Sequence, residues 1–342
     1  MKIARLPLAE VPGDAYARLA AGSLFASPGF LDLWRAKGGR PVVWTAELQG
    51  ALAAALPGVE YGRGPFAQFA SMPDGCYGGV LLDPAHESVR PSIARALFEA
   101  LARRRYAKAS VFDFRESAPI HPGFSVIWCE TTLVDISAPQ WMPPDLKLQS
   151  EIRKAEREGI EVERFEWERH HAGFLDLVAA TARQHGAKPR YAAPFYRALA
   201  DLAERDDRVA WRWCEHRGRP AGSHIYFVEG DTLQAWQKYF DRSLSFLKPN
   251  QFMQFATCRE TARRGITRLN LGATPLGAEG LAYYKARWGG RRVAYPSCVR
   301  VEGLRRVAYR VWASFARPTV QVAEMHTEPV PRPDGEDPAP GR

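Results

Sequence analysis

At 342 residues, 46% of them hydrophobic and 25% charged, the chain is long enough for two ordinary domains, each able to bury its own core. The five cysteines (Cys76, Cys129, Cys214, Cys258 and Cys298) are scattered singly, which argues against a structural zinc site or a disulfide framework and fits a reducing cytosol. No apolar run approaches the roughly 18 residues of a membrane-spanning helix. The start, Met1 to Pro7, has no apolar stretch of the signal-peptide kind, so a cytoplasmic location is expected. The formal net charge is +9, although the stretch beyond Arg317 sets five acids against two arginines. The rest is therefore more basic still. Such a surplus suits anionic partners: tRNA, a nucleotide-sugar, a CoA pyrophosphate or an acidic lipid surface. Arginines spread over solvated faces would give the same surplus.

In chain order, apolar spacing predicts a helix over Pro28–Lys37 with Phe30, Leu33 and Trp34 on one side. A hairpin follows, Val42–Leu48 and Ala51–Leu56, turning at Gln49-Gly50. Strand-like segments Phe66–Ser71 and Gly79–Leu82 flank a Met72-Pro73-Asp74-Gly75 turn. An amphipathic helix then places Val89, Ile93, Leu97, Phe98 and Leu101 at helical spacing, and strands Ala109–Phe114 and Phe124–Ile136 close the first half. A charged helix, Leu146–Glu158, follows the join at Trp141-Met142-Pro143-Pro144.

The second half repeats the pattern. Helices Ala172–Gln184 and Pro194–Ala203 precede a hairpin, Val209–Glu215 and Ala221–Val228, and then strand Thr232–Phe240. A loop, a proline-started helix Pro249–Arg264, strand Arg268–Leu271, a short aromatic-lysine helix and strand Arg292–Arg300 complete it. The fold class is α/β of the α+β type: two domains, 1–140 and 141–317, each a mostly antiparallel mixed sheet flanked by helices. They are expected to pack face to face, and a single continuous sheet would count against the tandem reading. Leu304, Val307, Ala308, Val311, Trp312 and Phe315 form one helical face opposite Arg305, Arg306 and Arg310, which predicts a closing helix over 303–317. The same face could lie on a membrane surface. Residues 318–342, rich in proline and acids, read as disordered.

Several stretches carry chemistry. Tyr77-Gly78-Gly79 combines an aromatic that can stack on a flat or sugar-bearing ligand with backbone free to approach it; a glycine bulge at a strand start has the same pattern. Arg153 and Lys154 lie on the charged helix among glutamates, where a solvated face competes with contact to a phosphate across the domain junction. His170, His171 and His185 sit where helices begin and end, without a second ligand cluster, so no metal is expected. His224 falls on a strand, as a satisfied core residue or one aimed into a cleft.

Ser27 to Trp34, Ser71-Met72-Pro73 with Tyr77-Gly78-Gly79, Thr132 to Ile136 with Ile152-Arg153-Lys154-Ala155, and Gly280-Leu281-Ala282-Tyr283-Tyr284-Lys285-Ala286-Arg287-Trp288-Gly289-Gly290 stand in one order along the chain. Together they resemble the FemAB-like transferases of the acyltransferase superfamily with the GNAT fold, over nearly the whole folded chain. The resemblance implies two tandem GNAT domains and an acyl- or aminoacyltransferase that forms an amide on an amine of a cell-envelope precursor, polysaccharide or small metabolite. The reaction would be direct attack in a groove between the domains. A non-catalytic GNAT-like module that binds an anionic glycan or RNA is the alternative.

Amide formation requires a deprotonated amine, a stabilised oxyanion and substrates held in line. The resemblance maps the family's aromatic-lysine pair onto Tyr284-Lys285, with Lys285 contacting a substrate phosphate or the reacting centre. Tyr239 and Asp241 are candidates to orient the amine or relay its proton, and Asn270 offers an amide donor; turn capping is the bland role for Asp241 and Asn270. The candidate substrate contacts are Tyr77, Gly78, Gly79, Tyr284, Arg153, Lys154 and Trp288. The expected neighbours of Lys285 at the end of the Tyr239 strand are Asp241 and Asn270, faced by Tyr77. Acyl-CoA or aminoacyl-tRNA would be the co-substrate. In CoA-using GNAT domains a glycine-rich loop and a helix N-terminus cradle the pyrophosphate. Here 241–248 holds no glycine. Arg242, Lys248 and Asn250 are the candidates to hold the donor instead, and the choice of donor stays open.

Overall fold

The computed structural model describes residues 1–114, 121, 123–275 and 277–302. The first half runs β1 (Lys2–Pro7), α1 (Gly13–Ala20), α2 (Pro28–Leu33), β2 (Arg40–Leu48), β3 (Ala51–Tyr61), β4 (Gln68–Ser71), β5 (Leu81–Leu82), α3 (Arg90–Arg103), β6 (Lys108–Phe112) and β7 (Ser125–Asp135). The second runs α4 (Leu146–Arg157), β8 (Glu161–Arg164), α5 (Trp167–Gln184), α6 (Ala193–Arg205), β9 (Val209–His216), β10 (Arg219–Glu229), β11 (Thr232–Phe240), α7 (Pro249–Ala262), β12 (Arg268–Asn270), α8 (Glu279–Arg287) and β13 (Arg291–Val301). The expected closing helix and disordered tail lie outside the described residues.

Local chemistry explains most of these starts and stops. Ser27 accepts from Phe30 N ahead of Pro28, so α2 opens with a capped turn and a proline preset for helix. It tightens to a 3-10 turn at Trp34–Lys37 rather than running on as one helix. Asp145 caps α4 by accepting from Leu148 N at 2.6 Å. The β2–β3 and β9–β10 hairpins both turn on a left-handed pair, Gln49-Gly50 (φ 52° and 82°) and Arg217-Gly218 (φ 52° and 72°), a geometry that matches the strand twist. β1, α1 and β8 add elements for which the sequence reading gave no element.

All strands but β5 lie on one path, β1-β2-β3-β4-β6-β13-β7-β12-β11-β10-β9-β8, and β5 pairs with β3. The expectation of two sheets packed face to face is therefore wrong. The halves meet edge to edge, because β13 from the end of the second half inserts between β6 and β7 of the first, antiparallel to both. β7 in turn pairs with β12 of the second half. The repeat itself survives in the pairing pattern. In the first half the antiparallel run β2-β3-β4 is followed by helix α3 and a strand, β6, parallel to β4. In the second, β9-β10-β11 is followed by α7 and a strand, β12, parallel to β11.

The largest apolar cluster also ignores the join. Phe25, Phe30 and Trp34 pack with Phe195, Trp211 and Phe227, all 0–1% exposed. Burying each such ring stabilises by about 1.5–3 kcal/mol, so the two halves hold each other's cores closed. A polar clasp adds to this. Asp74 ion-pairs with Lys37 at 2.6 Å and with Arg190, and accepts from the Tyr191 hydroxyl at 2.8 Å. Trp236 Nε1 donates to Asp74 O at 2.9 Å and Gln234 donates to Gly75 O, which fixes the 72–75 turn on β11.

Candidate active site

β11 and β12 pair only over Thr232–Gln234 and Arg268–Asn270, after which β11 runs on to Phe240 paired only with β10. The sheet is thus splayed at Asn270. Here the chain brings together Asn270 and Tyr77, 193 residues apart: Asn270 Nδ2 donates to the Tyr77 hydroxyl at 2.7 Å. Asn270 Oδ1 accepts from the Thr131 hydroxyl at 2.5 Å and from Gly272 N at 2.8 Å, so both its lone pairs are used. Burial lifts the Tyr77 phenol to about 12, with Asn270 and Thr131 partly opposing, so it remains a neutral hydroxyl at physiological pH.

The two glycines after Tyr77 serve close packing. A Cβ on Gly78 would stand 2.2 Å from Ser71 Oγ. Gly79, at φ 122°, would place one 2.1 Å from Asp113 Oδ2. Gly78 N donates to Phe112 O at 2.8 Å, which holds the Tyr77 loop over the end of β6. Tyr77 is walled by Phe114, Tyr295 and Phe25 at centroid distances of 4.8, 5.5 and 6.2 Å.

Lys285 reaches the same backbone turn from α8. Its Nζ donates to Gly272 O at 2.6 Å and to Ala273 O at 2.7 Å, and the residue is 3% exposed. Burial lowers its pKa to about 8, with Glu130 pulling the other way. Its ammonium therefore remains mostly charged near neutrality but titrates within reach of ordinary assay conditions. Lys285 lines a cavity of about 470 Å³ together with Thr132, Thr274 and Arg292. Gly272 is the hinge of the arrangement: its N–H is held through Asn270 to Tyr77, and its carbonyl by Lys285.

Lys238, which the sequence reading did not single out, is the second unusual lysine. It lies opposite His224 on β10. Its ammonium donates to Gln254 Oε1 on α7 and stands 5.5 Å from the Tyr284 ring centroid. The residue is half-buried. Desolvation of its ammonium is the main cause that brings the pKa down to about 7; Cys258 opposes it, and the charge on Lys285 adds a smaller lowering. His224 is fully buried, its Nδ1 2.8 Å from the Tyr226 hydroxyl, and burial together with Lys238 holds it neutral. A lysine two residues from the end of a largely buried strand was the available signal.

Residues 147–296 match the family described as Acetyltransferase (GNAT) domain. The second half thus carries a match to the GNAT fold. The whole chain is similar in structure to FemX, with a TM-score of 0.69 at 11% identity over 91% of this chain and 99% of that one. It is also similar to L-PGS from Bacillus licheniformis (TM-score 0.57, 14% identity, 90% and 98% covered). A third is the C-terminal domain of a putative lysylphosphatidylglycerol synthetase from Agrobacterium fabrum (TM-score 0.56, 14% identity, 87% and 95% covered). At these identities the likeness establishes the fold: a tandem GNAT arrangement. No curated protein matches in sequence.

Around the GNAT domain's splay the other predicted residues separate. Tyr239 points to the opposite side from Gln254, its hydroxyl 2.8 Å from that of Tyr196 and donating to Gln237 Oε1 at 3.1 Å within the shared core. Asp241 is not a neighbour of Asn270. In the parallel register Asn270 is level with Gln234, and Asp241 lies beyond the far end of β11, roughly 20 Å along the strand. There it accepts from Ser243 N at 2.9 Å and pairs with Arg219 at 2.5 Å, a turn-capping role. Trp288 is fully buried, stacked 6.2 Å from Trp141, so its ring is core packing rather than a substrate-contacting surface. Tyr284 packs over Lys238, its hydroxyl donating to Gln254 at 3.4 Å. Arg153 is exposed and bonds Gln149 on its own helix, and Lys154 lies 5.9 Å from the Phe246 ring; neither joins the Lys285 group. Lys248 and Asn250 line a cavity of about 260 Å³ at the start of α7, with Lys248 3.4 Å from Glu151. Arg242 lines a separate cavity with Asp241 and Arg219. Among the described residues no three His, Cys, Asp or Glu side chains are grouped to hold a metal, and no helix is long and apolar enough to cross a membrane.

Proposed function

We propose that this protein is an N-acyltransferase that moves an acyl group from acyl-CoA to an amine, with the chemistry at the Gly272 turn. The observation that carries the reading is the nearly buried Lys285 ammonium, which lines an open cavity beside the splay of a GNAT domain. An uncharged amine attacks the acyl carbonyl carbon, a C–N bond forms, and the carbonyl oxygen takes up negative charge. Lys285 lies where that charge would be met by a fixed, weakly hydrated cation, the kind of electrostatic stabilisation that contributes most to such steps. Collapse of the intermediate breaks the C–S bond and releases the CoA thiolate, while the amine sheds its proton to solvent. Beyond Gln234 the side of β11 turned away from β10 has no strand partner and offers backbone to the amide-bearing arm of the donor. The cavity at the start of α7, with Lys248 and Asn250, would take its pyrophosphate. Tyr77 and Asn270 hold the turn from the opposite side, and the acceptor would be an amine of a cell-envelope precursor, a polysaccharide or a small metabolite.

A thermal-shift panel with acyl-CoAs, aminoacyl-tRNA mimics and nucleotide-sugars tests the donor. A ligand present at about a hundred times its dissociation constant adds about 2.7 kcal/mol to apparent stability. A shift with acyl-CoA that disappears in Lys248→Glu supports the reading. A shift with the tRNA mimic alone would replace the donor, and no shift with either would favour a non-catalytic module.

A further inference from the structure

A second basic recess lies away from this site. The Tyr77 loop follows the C-terminal ends of β4 and β6, whereas at their N-terminal ends a cavity of about 640 Å³ is lined by Arg5, Arg40, Arg63, Arg104 and Arg105 around one acid, Glu60. The arginines come from β1, β2, the turn after β3 and the end of α3, so four separate segments converge.

Glu60 is 3% exposed and its oxygens are already engaged. Arg5 grips it with two bonds of 2.7 and 2.6 Å, the Tyr106 hydroxyl donates to it, and Arg40 stands 3.6 Å away while donating to Gly62 O. This floor orients Arg5 and Arg40 but leaves little negative charge for the rest. Arg105 lies 3.5 Å from Glu302 at the rim. The side chains of Arg63 and Arg104 are exposed and make no ion pair among the described residues. Like charges around a concave wall repel one another, and the recess concentrates their field on whatever anion enters.

We propose that this recess is a binding site for a diphosphate group, separate from the acyl-transfer site. A guanidinium presents a planar fork that meets phosphoryl oxygens two at a time. With Arg5 and Arg40 held by Glu60 and Arg105 beside Glu302, the forks of Arg63 and Arg104 remain, one for each of two adjoining phosphoryl groups. A recess of about 640 Å³ suits a small ligand rather than a nucleic-acid backbone, which calls for an extended basic stripe. The diphosphate could be free or part of a nucleoside diphosphate.

Calorimetric titration of the full chain with inorganic pyrophosphate, ADP, UDP, orthophosphate and sulfate tests this at fixed ionic strength. Pyrophosphate should bind at least tenfold more tightly than orthophosphate or sulfate. The double variant Arg63→Gln/Arg104→Gln should lose about tenfold or more, as expected for two charge-assisted contacts. Arg63→Lys/Arg104→Lys, which keeps charge but not the fork, should fall between them, and Lys248→Glu should remove at most a separate binding component at the donor site while keeping the one lost in the glutamine variant. Nucleoside diphosphates binding more tightly than pyrophosphate would identify a nucleotide as the source, and equal binding a free diphosphate. Orthophosphate or sulfate matching pyrophosphate would overturn the proposal. So would unchanged binding in the folded glutamine variant, its folding checked by its thermal transition, or loss of all pyrophosphate binding in Lys248→Glu alone.

Discussion

Replacing Lys285 by methionine removes the ammonium but keeps most of the stem. Ala273 O loses its donor, while Gly272 O keeps the Thr132 N–H at 3.1 Å. A carbonyl left unsatisfied costs about 1–3 kcal/mol. Against this, the wild-type ammonium is held with its pKa lowered from 10.5 to about 8, a desolvation cost of roughly 3 kcal/mol that the methionine avoids at pH 7. The terms nearly offset, so Lys285→Met should change folding stability by no more than about 3 kcal/mol and remain folded. Turnover should behave differently. Loss of one preorganised donor to an oxyanion lowers kcat by about 10²–10³. Urea unfolding and steady-state release of CoA thiol, measured on the same preparation, separate the two. The wild-type rate should also decline as pH rises through about 8, where Lys285 loses its proton. A folded Lys285→Met enzyme within threefold of the wild-type kcat would refute the electrostatic role.

Lys238→Met should leave that alkaline limb near pH 8, because Lys238, its pKa brought down to about 7, is already mostly uncharged where Lys285 titrates; a pH–rate profile reads it directly. The same variant bears on stability. The folded pKa of Lys238 is near 7 against 10.5 when unfolded, so the penalty is full below pH 7 and fades as pH rises toward 10.5; wild-type stability should gain a few kcal/mol on the variant across that window. Asp74→Asn, which tolerates the left-handed backbone at that position, should cost roughly 3 kcal/mol by leaving Arg190 and Lys37 without their carboxylate. Burial opposes ionisation of Asp74, but Arg190 and Lys37 outweigh it and hold its pKa below 3.8, so its contribution persists at neutral pH and is lost only on strong acidification. An unchanged urea midpoint would show that the clasp contributes nothing. Lys248→Glu alone should weaken acyl-CoA binding, whereas Arg242→Glu should not, since Arg242 lines a different cavity.

What the sequence made legible was local. The proline-started α7, the left-handed hairpin pairs and the aromatic-lysine helix before Gly289-Gly290 announce themselves through short-range chemistry, and the resemblance to the FemAB-like transferases is what singled out Lys285. That Tyr77 faces Asn270 was expected from the family resemblance and not from either residue's neighbours, because their contact depends on pairings across most of the chain. The insertion of β13 between β6 and β7 was not legible for the same reason: a strand's alternation says that it pairs, not with which partner. That insertion turned two expected sheets into one. Asp241 was misplaced because the length of β11 beyond its pairing with β12 sets how far it stands from Asn270. Lys238 was passed over because a lone lysine at a strand end usually reaches solvent, and here Gln254 and Tyr284 close over it.

The most direct test of acyl transfer at the Gly272 turn is a single-turnover reaction. Enzyme in excess is mixed with isotopically labelled acyl-CoA and a panel of amines, and labelled amide is followed by mass spectrometry in wild type and Lys285→Met. Amide formation in wild type that slows by about 10²–10³ in the folded variant is the predicted result. Amide formed equally fast by both, or label transferred to no amine while acyl-CoA is demonstrably bound, would contradict the account.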